Sequence, residues 1–236
     1  MEIRRFFTTN RVGDTFILDG EEFEHAVKVL RYKKGYILIV CDGTGYEYTC
    51  VIEDITKSEV VAKIQSVDKS TSESEVSITL YQCLPKGDKL DLIVQKAIEL
   101  GVTKIVPLTS QNVSETKFNY TRLLRVVREA SKQCGRAILP TLTQLVDIED
   151  VVFAEDIVLF ANERETLNSL SSVKLPTAKS IAVVVGSEGG FTLEECQSII
   201  DRGALSVSLG RRILRSETAG IVMTALATYL SGGLDI

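Results

Sequence analysis

A glycine-rich loop with one acidic residue is the first feature of the chain that could do chemistry. An apolar stretch leads directly into Gly186-Ser187-Glu188-Gly189-Gly190, and a segment with helical periodicity follows. Glycines let a backbone approach a ligand closely, and the start of a helix presents free N–H groups. The spacing matches neither the dinucleotide-binding motif nor the P-loop, and Glu188 would repel a phosphate. The segment is either a tight turn or a loop for a cationic or neutral ligand, such as the sulfonium of S-adenosylmethionine.

A second loop near the C-terminal end of the chain carries three arginines. Leu209-Gly210 ends an apolar segment, and Arg211, Arg212 and Arg215 follow within five residues. At the carboxyl edge of a parallel sheet, such residues lie where ligands usually bind. Taken alone, the segment is better interpreted as a solvated basic turn. Because the pattern of strand, glycine loop and helix occurs twice, a binding site is favoured.

A basic helix face is the third feature. Residues 117–136 hold six basic side chains against the single acid Glu129, although the chain as a whole has a net charge of −5. In a helix over 120–134, the apolar side chains share one face, namely Leu123, Val126, Val127, Ala130 and Cys134. The opposite face carries Arg122, Arg125, Arg128 and Lys132, and Arg136 extends it. This face is either merely solvated or a surface for a phosphate backbone.

Composition limits the class of protein. The chain has 236 residues, of which 44% are hydrophobic and 25% charged, a balance typical of globular proteins. No apolar run approaches the ~20 residues of a membrane-spanning helix, and the first residues lack the apolar segment of a secretory signal. Five cysteines without a C-x-x-C pair and a single histidine, His25, argue against a disulfide framework or a metal site. We therefore expect a cytoplasmic protein with no membrane partner and no metal.

The pattern of elements changes at residues 68–75, which contain no apolar side chain and are predicted to form a linker. A small β-rich unit with one helix over 21–32 precedes them, with strands predicted over 15–18, 36–41, 46–53 and 60–67. After them, apolar strands alternate with helices. The strands are predicted over 77–84, 104–108, 156–161, 180–185 and 205–209, and the helices over 89–100, 120–134, 193–201 and 217–230. Such alternation indicates an α/β fold with a parallel sheet covered on both faces.

These motifs together resemble one known family. The chain is similar to the 16S rRNA (uracil-N3) methyltransferases of the RsmE type, which are members of the SPOUT methyltransferases. The similarity runs almost from end to end and is carried by Arg4-Arg5-Phe6-Phe7, His25 with Val29-Leu30-Arg31 and Gly35, residues 96–102, Glu129-Ala130 with Gln133 and Arg136, residues 186–191, and Leu209-Gly210 through Ile213-Leu214-Arg215 to Glu217-Thr218-Ala219.

The resemblance implies a fold and partners. It implies a PUA-like RNA-binding β-barrel over residues 1–70, followed over 76–236 by a SPOUT domain with a parallel sheet and a C-terminal trefoil knot. It further implies a homodimer, S-adenosylmethionine held by the loops of the knot, and 16S rRNA or the small ribosomal subunit as substrate. Two residues depart from the family pattern: Ser187 stands where a proline is usual, and Asn112 stands near a usual arginine.

The resemblance also implies roles for individual residues. Arg215 or Arg136 would stabilise negative charge on the uracil, and either Glu217 or a water relay would accept its proton. The residues expected to hold the cofactor are Phe160, Gly186, Glu188, Gly189, Leu209, Gly210, Ile213 and Leu214. Those expected to contact RNA are Arg4, Arg5, Arg31, Arg122, Arg125, Arg128 and Lys132. Two alternatives stay open: a SPOUT enzyme with another RNA target, such as a ribose 2′-hydroxyl, and a non-catalytic RNA-binding factor for ribosome assembly.

Overall fold

The chain folds into two units. The structure is a computed structural model that describes residues 3–114, 117–170, 173 and 178–234. One unit comprises Met1–Glu73 together with Arg128–Leu139, and the other comprises Ser74–Val127 together with Pro140–Ile236. A single domain boundary near residue 70 therefore does not separate the two units, because a segment from the middle of the chain belongs to the first unit.

The first unit contains a six-stranded sheet in its described part. The strands lie in the order β1-β4-β5-β6-β3-β2, with the bounds β1 Arg5–Phe7, β2 Arg11–Val12, β3 Thr15–Leu18, β4 Ile37–Cys41, β5 Tyr46–Ile55 and β6 Val60–Lys69. The four strands predicted from the sequence are confirmed within two residues. The turn between β4 and β5 contains Gly43 and Gly45, both with positive φ, as a tight hairpin requires.

A short helix packs on this sheet. Helix α1, Gly20–Glu24, continues directly into a π-helical turn, His25–Val29, and Arg31, two residues after that turn, has φ +56°. The predicted helix over 21–32 is thus a shorter element of mixed geometry. Its buried Phe23 and Ala26 join a core made by alternate residues of the strands, which include Phe6, Phe16, Leu18, Leu38 and Val40. Period-2 alternation of burial explains why the sheet has one apolar face.

The segment predicted as a linker is anchored. Residues 68 and 69 are still part of β6, and Glu73 is only partly exposed. Its carboxylate accepts hydrogen bonds from the backbone N–H groups of Ala137 and Ile138, both at 3.0 Å, and lies 2.7 Å from Nη2 of Arg136. Because the Arg136 side chain is 4% exposed, this ion pair fixes the segment after residue 128 within the first unit.

The second unit contains a parallel sheet. In its described part the strands lie in the order β10-β8-β7-β12-β11-β13, with β9 beside β8, and every pairing is parallel. Their bounds are β7 Ser77–Cys83, β8 Lys104–Thr109, β9 Thr141–Leu142, β10 Val146–Asp147, β11 Ile157–Ala161, β12 Ser180–Val185 and β13 Leu205–Val207. The predicted α/β class and its five strands are confirmed, whereas β9 and β10 were not predicted.

The helices follow their predicted positions. Their bounds are α2 Lys89–Glu99, α3 Tyr120–Cys134, α4 Leu193–Asp201 and α5 Ser216–Leu230. The strands between them are buried on both faces, and Ile181, Ala182, Val183 and Val184 of β12 have no exposed surface. Helix α3 contributes to both units, since the division falls between Val127 and Arg128. Within the described ranges, no helix has the length and apolar character needed to cross a membrane.

The anchoring role of Glu73 can be tested by unfolding. We expect Glu73→Ala to lower the free energy of unfolding of the first unit by about 3–5 kcal/mol, because it removes the carboxylate from a buried guanidinium and two backbone N–H groups. Urea unfolding followed by circular dichroism measures this change. The exposed Glu75, two residues further along, is the control, and Glu75→Ala should shift the value by less than about 0.5 kcal/mol. Equal, small effects of the two substitutions would contradict the anchoring role.

Candidate active site

A cleft opens at the carboxyl edge of the parallel sheet. Strands β12 and β13 flank β11 on either side and run parallel to it, so the residues that follow the three strands meet at one edge. The cleft encloses about 660 Å³, including its open mouth, which is in the range of small-molecule sites. It is lined by residues 161–163 after β11, by Val185, Gly186, Ser187, Gly190 and Phe191 after β12, by residues 208–214 after β13, and by Ser216 and Ala219 of α5.

The first wall of the cleft is the glycine-rich loop. Ser187 closes the turn, because its carbonyl oxygen accepts the N–H of Gly190 at 3.0 Å and its Oγ accepts the N–H of Gly189 at 3.3 Å. Gly190 has φ +63°, and a Cβ there would lie 2.8 Å from Oε1 of Glu163. A side chain at position 190 is thus disfavoured by the backbone conformation, and its Cβ would displace the carboxylate of Glu163. The hydroxyl of Ser187 supplies local hydrogen bonding at the position where proline is usual.

Asn112 supports this loop from outside the cleft. Its Nδ2 donates to the carbonyl oxygen of Gly189 at 3.2 Å. A Cβ at position 189 would lie 2.9 Å from the backbone oxygen of Asn112, so glycine is needed here for close backbone packing. Asn112, one of the two departures from the family pattern, therefore contacts the glycine-rich loop.

The helix after the loop begins with a capping box. Oγ1 of Thr192 accepts the N–H of Glu195 at 3.2 Å, and Oε2 of Glu195 accepts the N–H of Thr192 at 2.8 Å. Phe191, just before this capping box, packs edge-on against Phe160 with ring centroids 5.5 Å apart. Phe160 is buried in the core below the loop. It supports the cleft and does not line it.

The carboxylate of Glu188 is held by residues after β7. It accepts the backbone N–H of Lys86, and its Oε1 lies 3.1 Å from Nζ of Lys89. The same Nζ lies 3.2 Å from Oε1 of Glu217. Partial burial acts to raise the pKa of Glu188, but hydrogen bonds from its own N–H, from Lys89 and from Lys86 outweigh it and hold that pKa below its usual range. One lysine thus joins the glycine-rich loop to the first turn of α5.

The second wall is the arginine-containing loop. Leu209, Gly210, Ile213 and Leu214 all line the cleft, and Gly210 has φ +106°. Its N–H donates to Oγ of Ser208 at 3.2 Å. The side chain of Arg215 is exposed at the entry to α5, next to the lining residue Leu214. Of the residues predicted to hold the cofactor, five therefore line the cleft: Gly186, Leu209, Gly210, Ile213 and Leu214.

The other predicted site residues lie elsewhere. Glu188, Gly189 and Phe160 contact the lining without being part of it. Glu217 lies on α5 and is bound to Lys89. Arg136, predicted to be catalytic, belongs to the first unit and is buried in its ion pair with Glu73. The catalytic roles of Arg136 and Glu217 stay predictions.

The predicted basic face of α3 is largely paired with acids. In the first unit, Nη1 of Arg128 and Nζ of Lys132 lie 3.1 and 3.0 Å from the buried carboxylate of Glu22, and the side chain of Lys132 is 8% exposed. In the second unit, Arg122 contacts Asp88 and Asp91. The face is therefore not simply solvated. Of the other residues predicted to bind RNA, Arg5 pairs with Glu47 at 2.9 Å, while Arg4, Arg31 and Arg125 have exposed side chains.

Sequence reasoning missed the wall that follows β11. Asn162 and Glu163 line the cleft, and Nδ2 of Asn162 donates to Oγ of Ser206 at 3.1 Å. The available signal was a polar pair directly after an apolar strand, the same position that the glycine-rich loop occupies after β12. Ser216, which also lines the cleft, gave no signal of its own.

Comparisons with known proteins agree with this architecture. Residues 72–228 match the family model of an RNA methyltransferase domain, and residues 18–65 match that of an RNA methyltransferase PUA domain. Ribosomal RNA small subunit methyltransferase E of Rickettsia conorii is 33% identical over 237 residues, which cover 98% of this chain and 97% of the relative. The protein of the same name from Bacillus subtilis is 27% identical over 230 residues, with 91% and 90% covered.

Two solved structures are also similar. The structure of a ribosomal RNA small subunit methyltransferase E from Neisseria gonorrhoeae, bound to S-adenosylmethionine, has a TM-score of 0.86 and 28% identity, and the match covers 97% of this chain and 98% of that one. The structure of a methyltransferase from Legionella pneumophila, in complex with S-adenosylmethionine, has a TM-score of 0.85 and 31% identity, with 97% of each chain covered.

The parallel sheet with its glycine loops, preceded by the smaller mainly antiparallel sheet, defines an RNA methyltransferase of the SPOUT type with a PUA domain. Within that class the identities extend over nearly the whole chain. The chain belongs to the RsmE family, the small-subunit ribosomal RNA methyltransferases E.

The role of Gly190 as part of the cleft wall can be tested by titration. We expect Gly190→Ala to weaken binding of S-adenosylmethionine by about tenfold or more, because a Cβ there must displace Glu163 and strain the loop. Isothermal calorimetry measures the affinity. Gly203 is the matched control, since it has φ +94° but no atom within 4 Å of an added Cβ. Gly203→Ala should share the conformational strain and keep the affinity; the same loss in both variants would exclude a specific role for position 190.

Proposed function

We propose that this protein transfers a methyl group from S-adenosylmethionine to N3 of a uridine in 16S ribosomal RNA. The observation that carries the proposal is the cleft at the carboxyl edge of the sheet, formed by the loops in which the family resemblance is most specific. The relatives named above support the reaction class, and two related structures contain the cofactor. The fold and the cleft fit this activity better than the non-catalytic alternative, because an assembly factor needs no such cavity.

The lining residues fit S-adenosylmethionine by type. Apolar side chains, including Val185, Phe191, Ile213 and Leu214, suit a nucleobase. Asn162 and Glu163 offer an amide and a carboxylate to hydroxyl and cationic groups, and the two glycine loops expose backbone N–H and C=O groups. These residues would hold the cofactor, which supplies an electrophilic methyl group when it is bound.

The chain's own residues would prepare the nucleophile. N3 of uridine must lose its proton before or as it bonds to carbon, and the negative charge then spreads to the uracil carbonyls. Arg215, exposed beside the cleft, is placed to stabilise this charge. Glu217 has one oxygen at Lys89, while its buried Oε2 has no hydrogen-bond partner among the described residues. That oxygen, or a water near it, is the proposed proton acceptor.

We further propose that residues 1–70 act as the RNA-binding domain and 76–236 as the catalytic domain. The match of residues 18–65 to a PUA domain supports the first assignment. The trefoil knot, a homodimer and a cytoplasmic location belong to the same proposal. Exposed apolar residues near the C-terminal end, including Ile213, Leu226 and Tyr229, support a dimer, for which sedimentation should return twice the chain mass of 26.0 kDa.

Nucleoside analysis of ribosomal RNA tests the reaction itself. We expect 16S rRNA from a strain without this protein to lack one N3-methyluridine, and the purified protein with S-adenosylmethionine to restore it. Mass spectrometry of digested RNA distinguishes N3-methyluridine from a ribose 2′-O-methyl nucleoside by the fragment that carries the methyl group. Loss of a 2′-O-methyl nucleoside would assign the other SPOUT activity, and an unchanged nucleoside profile would favour the assembly factor.

Replacing Arg215 separates catalysis from binding. If Arg215 stabilises charge that develops on the uracil, Arg215→Ala should lower single-turnover methylation by about a hundred- to a thousand-fold and leave cofactor affinity within about twofold. A structural pairing with Glu217 does not compete with this role, since Glu217 contacts Lys89. Lys179 is exposed just before β12, at the opposite edge of the sheet. Lys179→Ala is therefore the control for the loss of one positive charge. Equal losses of rate and cofactor affinity in Arg215→Ala would refute the catalytic role.

A further inference from the structure

A glutamine inside the sheet is one of the buried polar residues that the proposed reaction does not use. Gln82 lies on β7 between β8 and β12, opposite Pro107 and Val185, and it has no exposed surface. Burying an amide costs free energy unless its polar atoms are hydrogen-bonded. A glutamine in this strand, which is otherwise mostly apolar, therefore calls for an explanation beyond packing.

The contacts of Gln82 form a chain of hydrogen bonds that ends at the cleft. Its Nε2 donates to Oγ of Ser216 at 3.0 Å and to the carbonyl oxygen of Cys83 at 3.0 Å. Oγ of Ser216 donates to the carbonyl oxygen of Gly186 at 2.6 Å. A carbonyl can only accept, so the single proton of the Ser216 hydroxyl goes to Gly186. Gln82 must then be the donor to Ser216, which fixes the orientation of its amide.

That orientation leaves the other end of the amide unsatisfied. Oε1 of Gln82 is buried and finds no donor in the described part of the chain. It points toward Gly220 on α5, where an added Cβ would lie only 2.4 Å away. Glycine in a helix is less stable than alanine. The fold thus keeps an unfavourable residue in α5 and an unpaired oxygen in β7, and both permit the donor side of Gln82 to reach Ser216.

Ser216 and Gly186 both line the cleft and come from different segments of the chain. Gly186 begins the glycine-rich loop, and Ser216 is the first residue of α5, directly after Arg215. From these contacts we infer that Gln82 is a positioning residue, which through Ser216 fixes the glycine-rich loop relative to Arg215 and the start of α5. The inference rests on the proposed function, because the positioning by Gln82 matters only if the same cleft binds both the cofactor and the target base.

Two substitutions interrupt the chain of hydrogen bonds at different links. Gln82→Met keeps the length of the side chain and removes its donor, and Ser216→Ala removes the hydroxyl. We expect each to lower the affinity for S-adenosylmethionine by about three- to tenfold and to lower kcat at saturating cofactor, with little change in KM for RNA. Both substitutions interrupt the same chain of hydrogen bonds. The double variant should therefore lose no more affinity and no more kcat than the more impaired single variant. Calorimetry, single-turnover methylation and thermal unfolding are measured on the full chain.

Thr79→Val is the matched control. Thr79 is a buried polar residue on the same strand, three positions before Gln82, and it is not part of the chain of hydrogen bonds. The Thr79→Val substitution should lower Tm and leave the affinity for S-adenosylmethionine and kcat unchanged. Additive losses of affinity and rate in the double variant would overturn the inference. So would a Gln82→Met variant in which only Tm falls, as in the control.

If Gln82→Met does not fold, Gly220→Ala provides the test of the inference. It keeps every polar atom but forces the amide of Gln82 away from Gly220 and hence from its place beside Ser216. Cofactor affinity should fall although alanine favours the helix, whereas unchanged affinity would overturn the inference. If the unaltered protein neither binds the cofactor nor methylates RNA, the proposed function fails and the inference falls with it. If the unaltered protein is active and the variants match it, only the inference fails.

Discussion

The common direction of the strands is the constraint on which the site depends. Because β11, β12 and β13 are parallel neighbours, their carboxyl ends lie at one edge of the sheet. Loops that begin at residues 162, 186 and 208 therefore converge although the chain separates each from the next by more than twenty residues. No one loop could form the cleft by itself. Each supplies one wall, and the buried strands beneath them keep the walls at a fixed separation.

Strong periodicity and local hydrogen bonding made much of the fold predictable. The apolar run of β12, the amphipathic pattern of α2 and the capping box at Thr192 and Glu195 are local features of the sequence, and the structure has a strand or a helix at each of them. Strands β1, β2, β9 and β10 have only two or three residues, too few to show a period. They form because neighbouring strands offer free backbone groups, a property that the short segment itself does not encode.

Long-range charge pairing was the part that the sequence could not predict. A helical wheel shows that Arg128 and Lys132 share a face, but it does not show that Glu22 lies against that face. Composition likewise marks Glu73 as part of a polar linker, whereas its ion pair with the buried Arg136, sixty-three residues later, makes it an anchor. In both cases the partner of the charge is set by tertiary structure. A basic patch read from sequence is therefore evidence for solvent exposure only after its acidic neighbours are known.

Charge pairing also determines which carboxylate a cationic ligand would meet in the cleft. Glu188 suggested an acidic loop that would attract a cation, yet its carboxylate is bound by Lys89 and the N–H of Lys86 and does not line the cleft. The carboxylate that does line the cleft belongs to Glu163, two residues after β11. A cationic ligand in the cleft would thus meet Glu163 on one wall and backbone groups of the glycine-rich loop on the other. Glu188 then acts on the shape of that loop, through Lys89, and the negative charge in the cleft lining comes from Glu163.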